Sequence, residues 1–178
     1  MSQQSMSSGE GKRSEQAKEA ISSLLVVNLR GMVNTRAPVR TALEQLHLIR
    51  RFNATIVPEN RVYLGMLNLC KEHVAWCRID SQTIEKLLKS RAEVSDGRRF
   101  DWAVDGKQDA VARKASPSEL AEDIVHGKSR LDGTQGFRQF FRLNPPRGGF
   151  KRSIRRQFRE GGVLGANPEL LKLAERMI

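Results

Sequence analysis

Between residues 24 and 92, short apolar runs alternate three times with apolar stripes at helical spacing. That alternation limits the fold more than any other feature of the chain. Leu24-Leu25-Val26-Val27-Asn28-Leu29-Arg30 reads as a first strand, broken by Gly31. A loop then leads to Pro38, which suits the first turn of a helix whose stripe is Val39, Ala42, Leu43 and Leu46. Thr55-Ile56-Val57 is the second strand, ended by Pro58, and Asn60 is placed to cap the next helix. That helix carries Tyr63, Met66, Leu67, Cys70 and Val74 along one face. Val74 to Ile79 supplies a third strand, and a third helix starts at Ser81 with Ile84, Leu87 and Leu88 inward. The order is β-α-β-α-β-α, with connections too short for separate domains.

Outside this block the signals weaken. Residues 1–23 are expected to be a flexible tail, Ser/Gln/Gly-rich at first, then charged enough to form a helix against a partner. Residues 93–178 are expected to be an extension that needs the 24–92 core to bury its apolar side. In it, Phe100 and Trp102 read as anchors. Ser116-Pro117-Ser118-Glu119 opens a helix that Gly127 ends, Phe137 to Leu143 reads as a strand, and Asn167-Pro168 starts a last helix.

The chain carries 31 Lys and Arg against 20 Asp and Glu, a formal charge of +11, so a polyanion is the expected partner. The excess is concentrated in two regions, 24–90 at net +5 and 133–178 at net +7. A spanning helix needs about 20 apolar residues, and no run approaches that length. The first residues lack the apolar segment of a secretory signal, and Cys70 and Cys77 fit a reducing compartment; both point to the cytoplasm.

Two clusters are candidate RNA contacts. The first is Arg30, Asn34, Arg36, Arg40, His47, Arg50 and Arg51, around a loop entering a helix N-terminus, where free N–H groups also favour phosphate. The second lies in residues 137–159, which hold eight basic side chains and no acidic one. Its members are Arg138, Arg142, Arg147, Lys151, Arg152, Arg155, Arg156 and Arg159, interleaved with Phe137, Phe140, Phe141, Phe150 and Phe158. Arginine presents a planar fork to phosphate, and aromatic rings can receive unstacked bases. The bland alternative is a solvated basic face over buried phenylalanines; both are expected to hold, with Phe137, Phe140 and Phe141 in the core. In Pro145-Pro146-Arg147-Gly148-Gly149 the prolines stiffen the backbone, and Gly148 and Gly149 let it approach a surface; an ordinary turn is the competing reading.

Two rival chemistries fare poorly. Cys70-x-x-His73-x-x-x-Cys77 resembles part of a zinc site but lacks a fourth ligand nearby. Arg30, Arg36 and Asn53 could be cast as an acyl-phosphate hydrolase, yet no paired carboxylates or activated nucleophile accompany them, and His47, His73 and His126 are scattered. No enzyme, cofactor or metal is expected.

Several motifs resemble the large-subunit ribosomal protein thirty family, whose eukaryotic counterpart is ribosomal protein seven. They are Arg30-Gly31-x-Val33-Asn34, Leu43-x-x-Leu46, Asn53-x-Thr55-x-Val57-Pro58 and Tyr63-x-Gly65-Met66. Leu143-x-Pro145-Pro146-Arg147-Gly148-Gly149 and Glu160-Gly161-Gly162-x-Leu164-Gly165 resemble the C-terminal extension of its long archaeal branch. The resemblance implies an α+β fold: a β-α-β-α-β core with a three-stranded antiparallel sheet, somewhat ferredoxin-like, with helices on one side, plus a C-terminal α/β extension. It also implies a structural, non-enzymatic constituent of the large ribosomal subunit that binds large-subunit rRNA. 5S rRNA is a candidate contact, neighbouring large-subunit proteins are partners, and no membrane or small-molecule substrate is involved. A free RNA-binding factor in ribosome assembly or regulation is the alternative.

Overall fold

A computed structural model of the chain describes residues 22–94, 97–100, 102, 117–126 and 138–178. The first half follows the expected alternation: β1 (Ser23–Asn28), α1 (Ala37–Gln45), β2 (Asn53–Pro58), α2 (Arg61–Leu69), β3 (Val74–Arg78) and α3 (Ser81–Arg91). Then come α4 (Pro117–Val125), β4 (Phe141–Arg142), β5 (Ser153–Gln157), β6 (Gly162–Ala166) and α5 (Leu170–Glu175).

All six strands share one mixed sheet, in the order β4-β2-β1-β3-β6-β5. β1 pairs antiparallel with β2 and β3, β4 adds antiparallel to β2, and β6 adds in parallel to β3. The three-stranded antiparallel sheet expected from the resemblance is thus the centre of a wider one, extended at both edges by the C-terminal segment. The helices also differ from expectation, because they cover both faces. Leu24, Val26, Val57 and Val74 pack with Leu43 and Leu46 beside α1 and α2, while Leu25, Val27 and Leu29 pack with Ile84, Leu87 and Leu88 of α3 and with α4 and α5. Every residue of β1 is consequently buried. At about 1.5–3 kcal/mol for each fully buried aliphatic side chain, this strand is the main anchor of both cores.

Capping residues contribute less than the sequence suggests. Asn60 occupies the N-cap of α2 without a side-chain capping bond. Ser116, Gly127 and Phe137, and the tail before residue 22, lie outside the described residues. The strand expected over Phe137 to Leu143 pairs only at Phe141 and Arg142, and β5 and β6, absent from the sequence reading, complete the far edge. Phe100 is buried edge-on to Trp102, with ring centroids 4.9 Å apart, so both act as anchors. Ser23 Oγ donates to the Ile124 carbonyl at 2.5 Å and Thr55 Oγ1 to that of Gln139 at 3.0 Å, tying later segments to the first strands.

Cys70 and Cys77 belong to the cores on opposite faces of the sheet, so the Cys-His-Cys spacing does not converge on a metal. Burial pushes the Cys70 thiol up to about 11; burial, with repulsion from Asp80, pushes Cys77 up to about 12.

The bulged pairing of β5 with β6 leaves Gly162 against backbone. A Cβ there would stand 1.9 Å from the Arg156 carbonyl oxygen. Gly162→Ala is expected to cost about 2 kcal/mol, because backbone cannot step aside as a flexible side chain can. Urea unfolding of the pure variant checks this; an unchanged midpoint would refute the close approach.

Candidate nucleic-acid interface

The ends of the strands decide where the basic loops go. Because β1 runs antiparallel to β2 and β3, the end of β1 and the starts of β2 and β3 lie at one end of the sheet. β4, antiparallel to β2, finishes there as well, beside Asn53. The loop before α1, the loop after it, and the loop leaving β4 therefore emerge together. These, with the last residue of β4, carry Arg30, Asn34, Arg36, His47, Arg50 and Arg51 from the first cluster and Arg142, Arg147, Lys151 and Arg152 from the second. Two regions read as separate in the sequence meet at one end.

Asn28 organises this end. It is fully buried at the last position of β1. Its Nδ2 donates to the Leu48 carbonyl at 2.7 Å, and its Oδ1 accepts from the Gly31 and Arg30 amides at 2.8 and 3.2 Å. One side chain thereby fixes the loops on either side of α1. The sequence reading passed over it as a strand residue; the signal was a polar side chain inside an aliphatic run, just before Arg-Gly.

A second fastener joins the loop before β2 to the segment after β4. The Phe52 amide donates to the Asn28 carbonyl at 2.7 Å, and the Phe52 carbonyl accepts from the Leu143 amide at 3.0 Å. The Phe52 ring stacks on Phe150 with centroids 6.2 Å apart and planes 18° from parallel. The Arg51 guanidinium lies 4.7 Å from the Phe52 ring centre, and its Nε donates to the Leu29 carbonyl at 2.9 Å. Among the described residues, the non-glycine positions with positive φ are Asn34, His47 and Phe52, at 56°, 57° and 66°, and all three sit in these loops. Such conformations cost about 1–3 kcal/mol each and persist where the surroundings over-determine them.

The candidate cations divide by what already holds them. Arg138 is half-buried, paired with Glu93 at 3.0 Å, and Arg142 approaches the same carboxylate at 3.8 Å. Arg40 pairs with Glu44 along α1 at 3.2 Å, and Arg30 donates to the Glu72 carbonyl. Arg36, Arg50, Arg147, Lys151, Arg155 and Arg156 are exposed and, among the described residues, form no ion pair. At the opposite end of the sheet Arg61 is exposed, while a second cation is neutralised internally. There Arg78 forks onto Glu59 at 2.9 and 3.1 Å, and that bond, with a further one from Ser22, holds the Glu59 carboxyl below its ordinary pKa.

The Pro-Pro-Arg-Gly-Gly segment is a turn fastened to the end of α5. The Arg147 amide donates to the Arg176 carbonyl at 3.1 Å, and the Arg176 guanidinium returns bonds to the carbonyls of Arg147 and Gly149. Gly148 and Gly149 take φ of 76° and 71°, so the turn itself requires both glycines. Burial, with repulsion from Arg99 and Arg147, lowers the Arg91 pKa, and the Arg91 guanidinium donates to the Ile178 carbonyl oxygen.

No protein-family model matches the chain. It is 36% identical over 163 residues to large ribosomal subunit protein uL30 of Korarchaeum cryptofilum, covering 90% of this chain and 98% of that protein. The uL30 of Methanothrix thermoacetophila is 35% identical, with 85% of this chain and 97% of that protein covered. That of Nitrosopumilus maritimus is 34% identical, with 87% and 97% covered. Identity at this level along nearly the whole length of each relative shows that the chain belongs to the uL30 family of large ribosomal subunit proteins.

Proposed function

We propose that the protein is a structural constituent of the large ribosomal subunit that binds large-subunit rRNA and does no bond-making of its own. The observation that carries this is that Arg36, Arg50 and Arg147, exposed and without an ion pair among the described residues, stand on three loops that the strand order brings to one end of the sheet. A guanidinium fork matches two phosphate oxygens, and an arginine without a carboxylate partner gives up no ion pair to meet them. The proposed contact residues are Arg30, Asn34, Arg36, Arg40, His47, Arg50, Arg51, Arg142, Arg147, Gly148, Gly149, Lys151, Arg152, Arg155 and Arg156. Arg138 contributes by holding Glu93 and bracing the loop. In the same reading, residues 24–92 are a ferredoxin-like core, 93–178 its appendage and 1–23 a tether. Neighbouring large-subunit proteins complete the site, 5S rRNA is a candidate second contact, and the location is the cytoplasmic ribosome.

Two measurements test this. Affinity for large-subunit rRNA fragments is expected to fall by about a thousandfold or more between roughly 50 and 200 mM salt, as expected for six or more phosphate contacts. A flat salt profile would refute the phosphate mechanism. Sedimentation separates a constituent, which stays with mature large subunits at near one copy each, from an assembly factor, which leaves them.

A further inference from the structure

A cleft of about 450 Å³ lies between the residues that follow the Pro-Pro-Arg-Gly-Gly turn and α5 with its flanks, lined by Phe150, Lys151, Arg152, Lys172, Leu173 and Arg176, together with Val163 and Asn167. Four of these side chains are cationic. The one carboxylate in the wall, Glu169, is engaged by Arg152 at 3.4 Å. Asn167 is spent on the protein itself: Nδ2 donates to the Val163 carbonyl at 3.0 Å and Oδ1 accepts from the Glu169 amide at 2.9 Å. Arg176 is likewise committed to the turn. Lys151 and Lys172 are exposed at the rim and, among the described residues, have no ion-pair partner. The interior is different: Phe150 has one face against Phe52, and Leu173 and Val163 add apolar surface.

A cationic rim above an aromatic and aliphatic floor suits an anion that carries a flat apolar group. A bare phosphate would leave the floor unused, and paired bases in a duplex could not reach it. We infer that this cleft takes a single unstacked nucleotide of the bound RNA, with its phosphate between Lys151 and Lys172 and its base against Phe150 and Leu173. The inference rests on the RNA-binding reading above and adds that RNA reaches the protein partly as an extruded base. Phe150 couples this cleft to the first basic cluster through Phe52, so filling one and engaging the other draw on the same stack of rings.

The test uses the full chain with two probes, a short single-stranded RNA bearing 4-thiouridine and a duplex of equal charge. Irradiation of the single-stranded complex is expected to give an adduct on Phe150, Lys172 or Leu173, read by peptide mass spectrometry. Lys151→Ala with Lys172→Ala, both exposed and safe for folding, is expected to weaken single-strand binding by about tenfold while weakening duplex binding markedly less. Adducts confined to the loops around α1 would overturn the cleft and leave the RNA-binding reading standing. Equal losses on both probes would reduce the cleft to a phosphate-binding surface and overturn the inference. Absence of both binding and adducts would overturn the RNA-binding reading as well.

Discussion

Replacing Arg36, Arg50 and Arg147 together by alanine is expected to weaken binding to large-subunit rRNA by about a hundredfold or more, with the fold intact. The three are exposed, unpaired among the described residues, and drawn from three different loops at the same end of the sheet. A hydrogen bond to a charged group contributes about 1.5–3 kcal/mol, so even imperfect contacts add up to that loss. The plot of log affinity against log salt should also become shallower by about one unit per arginine. Thermal unfolding of the free variant should be unchanged, because none of the three bridges to a carboxylate. Unaltered affinity and slope would show that the RNA engages another face. Arg138→Ala is a useful contrast: its partner is Glu93, so its loss should fall first on stability.

Asn28→Leu is expected to destabilise the protein by about 3 kcal/mol and to lower RNA affinity even where the protein remains folded. The leucine has similar bulk, but it would leave the Leu48 carbonyl without the donor it has now and the Gly31 amide without its acceptor. An unsatisfied buried group costs about 1–3 kcal/mol, and at least two are created here. The two loops flanking α1 lose their common fixed point, and the arginines on them lose their preset positions. Denaturant unfolding gives the first effect, and RNA titration well below the unfolding midpoint gives the second. A variant of normal stability would mean that solvent satisfies these groups and that Asn28 does not organise the end.

The elements with strong periodicity were legible in the sequence. The first three strands and three helices appear within a few residues of where the apolar runs and stripes put them, because burial decides them. β5 was missed for a physical reason: Ser153-Ile154-Arg155-Arg156-Gln157 has almost no apolar content and is held at a sheet edge by backbone pairing alone. β6, with two glycines in five residues, entered the sequence reading only within a family motif, with no structure assigned to it. The two-faced covering of the sheet matches the unbroken apolar run Leu24 to Val27, yet one chain of letters does not say which helix takes which face. For the interface, residue type found the cations, and topology was needed to learn that both clusters share an end. Topology also separated Arg138 from Arg147: the same residue type, one committed to Glu93 and the other exposed.

The placement of β4 and β6 has a consequence for synthesis. The margins of the β2-β1-β3 triplet are met, at Asn53 and Ala54 on one side and Ala75 and Trp76 on the other, by strands made after residue 140, so these pairings form only when the last quarter has been translated. Open edges of this kind recruit strands from other molecules. Truncation before residue 140 would leave those backbone groups of β2 and β3 without their strand partners.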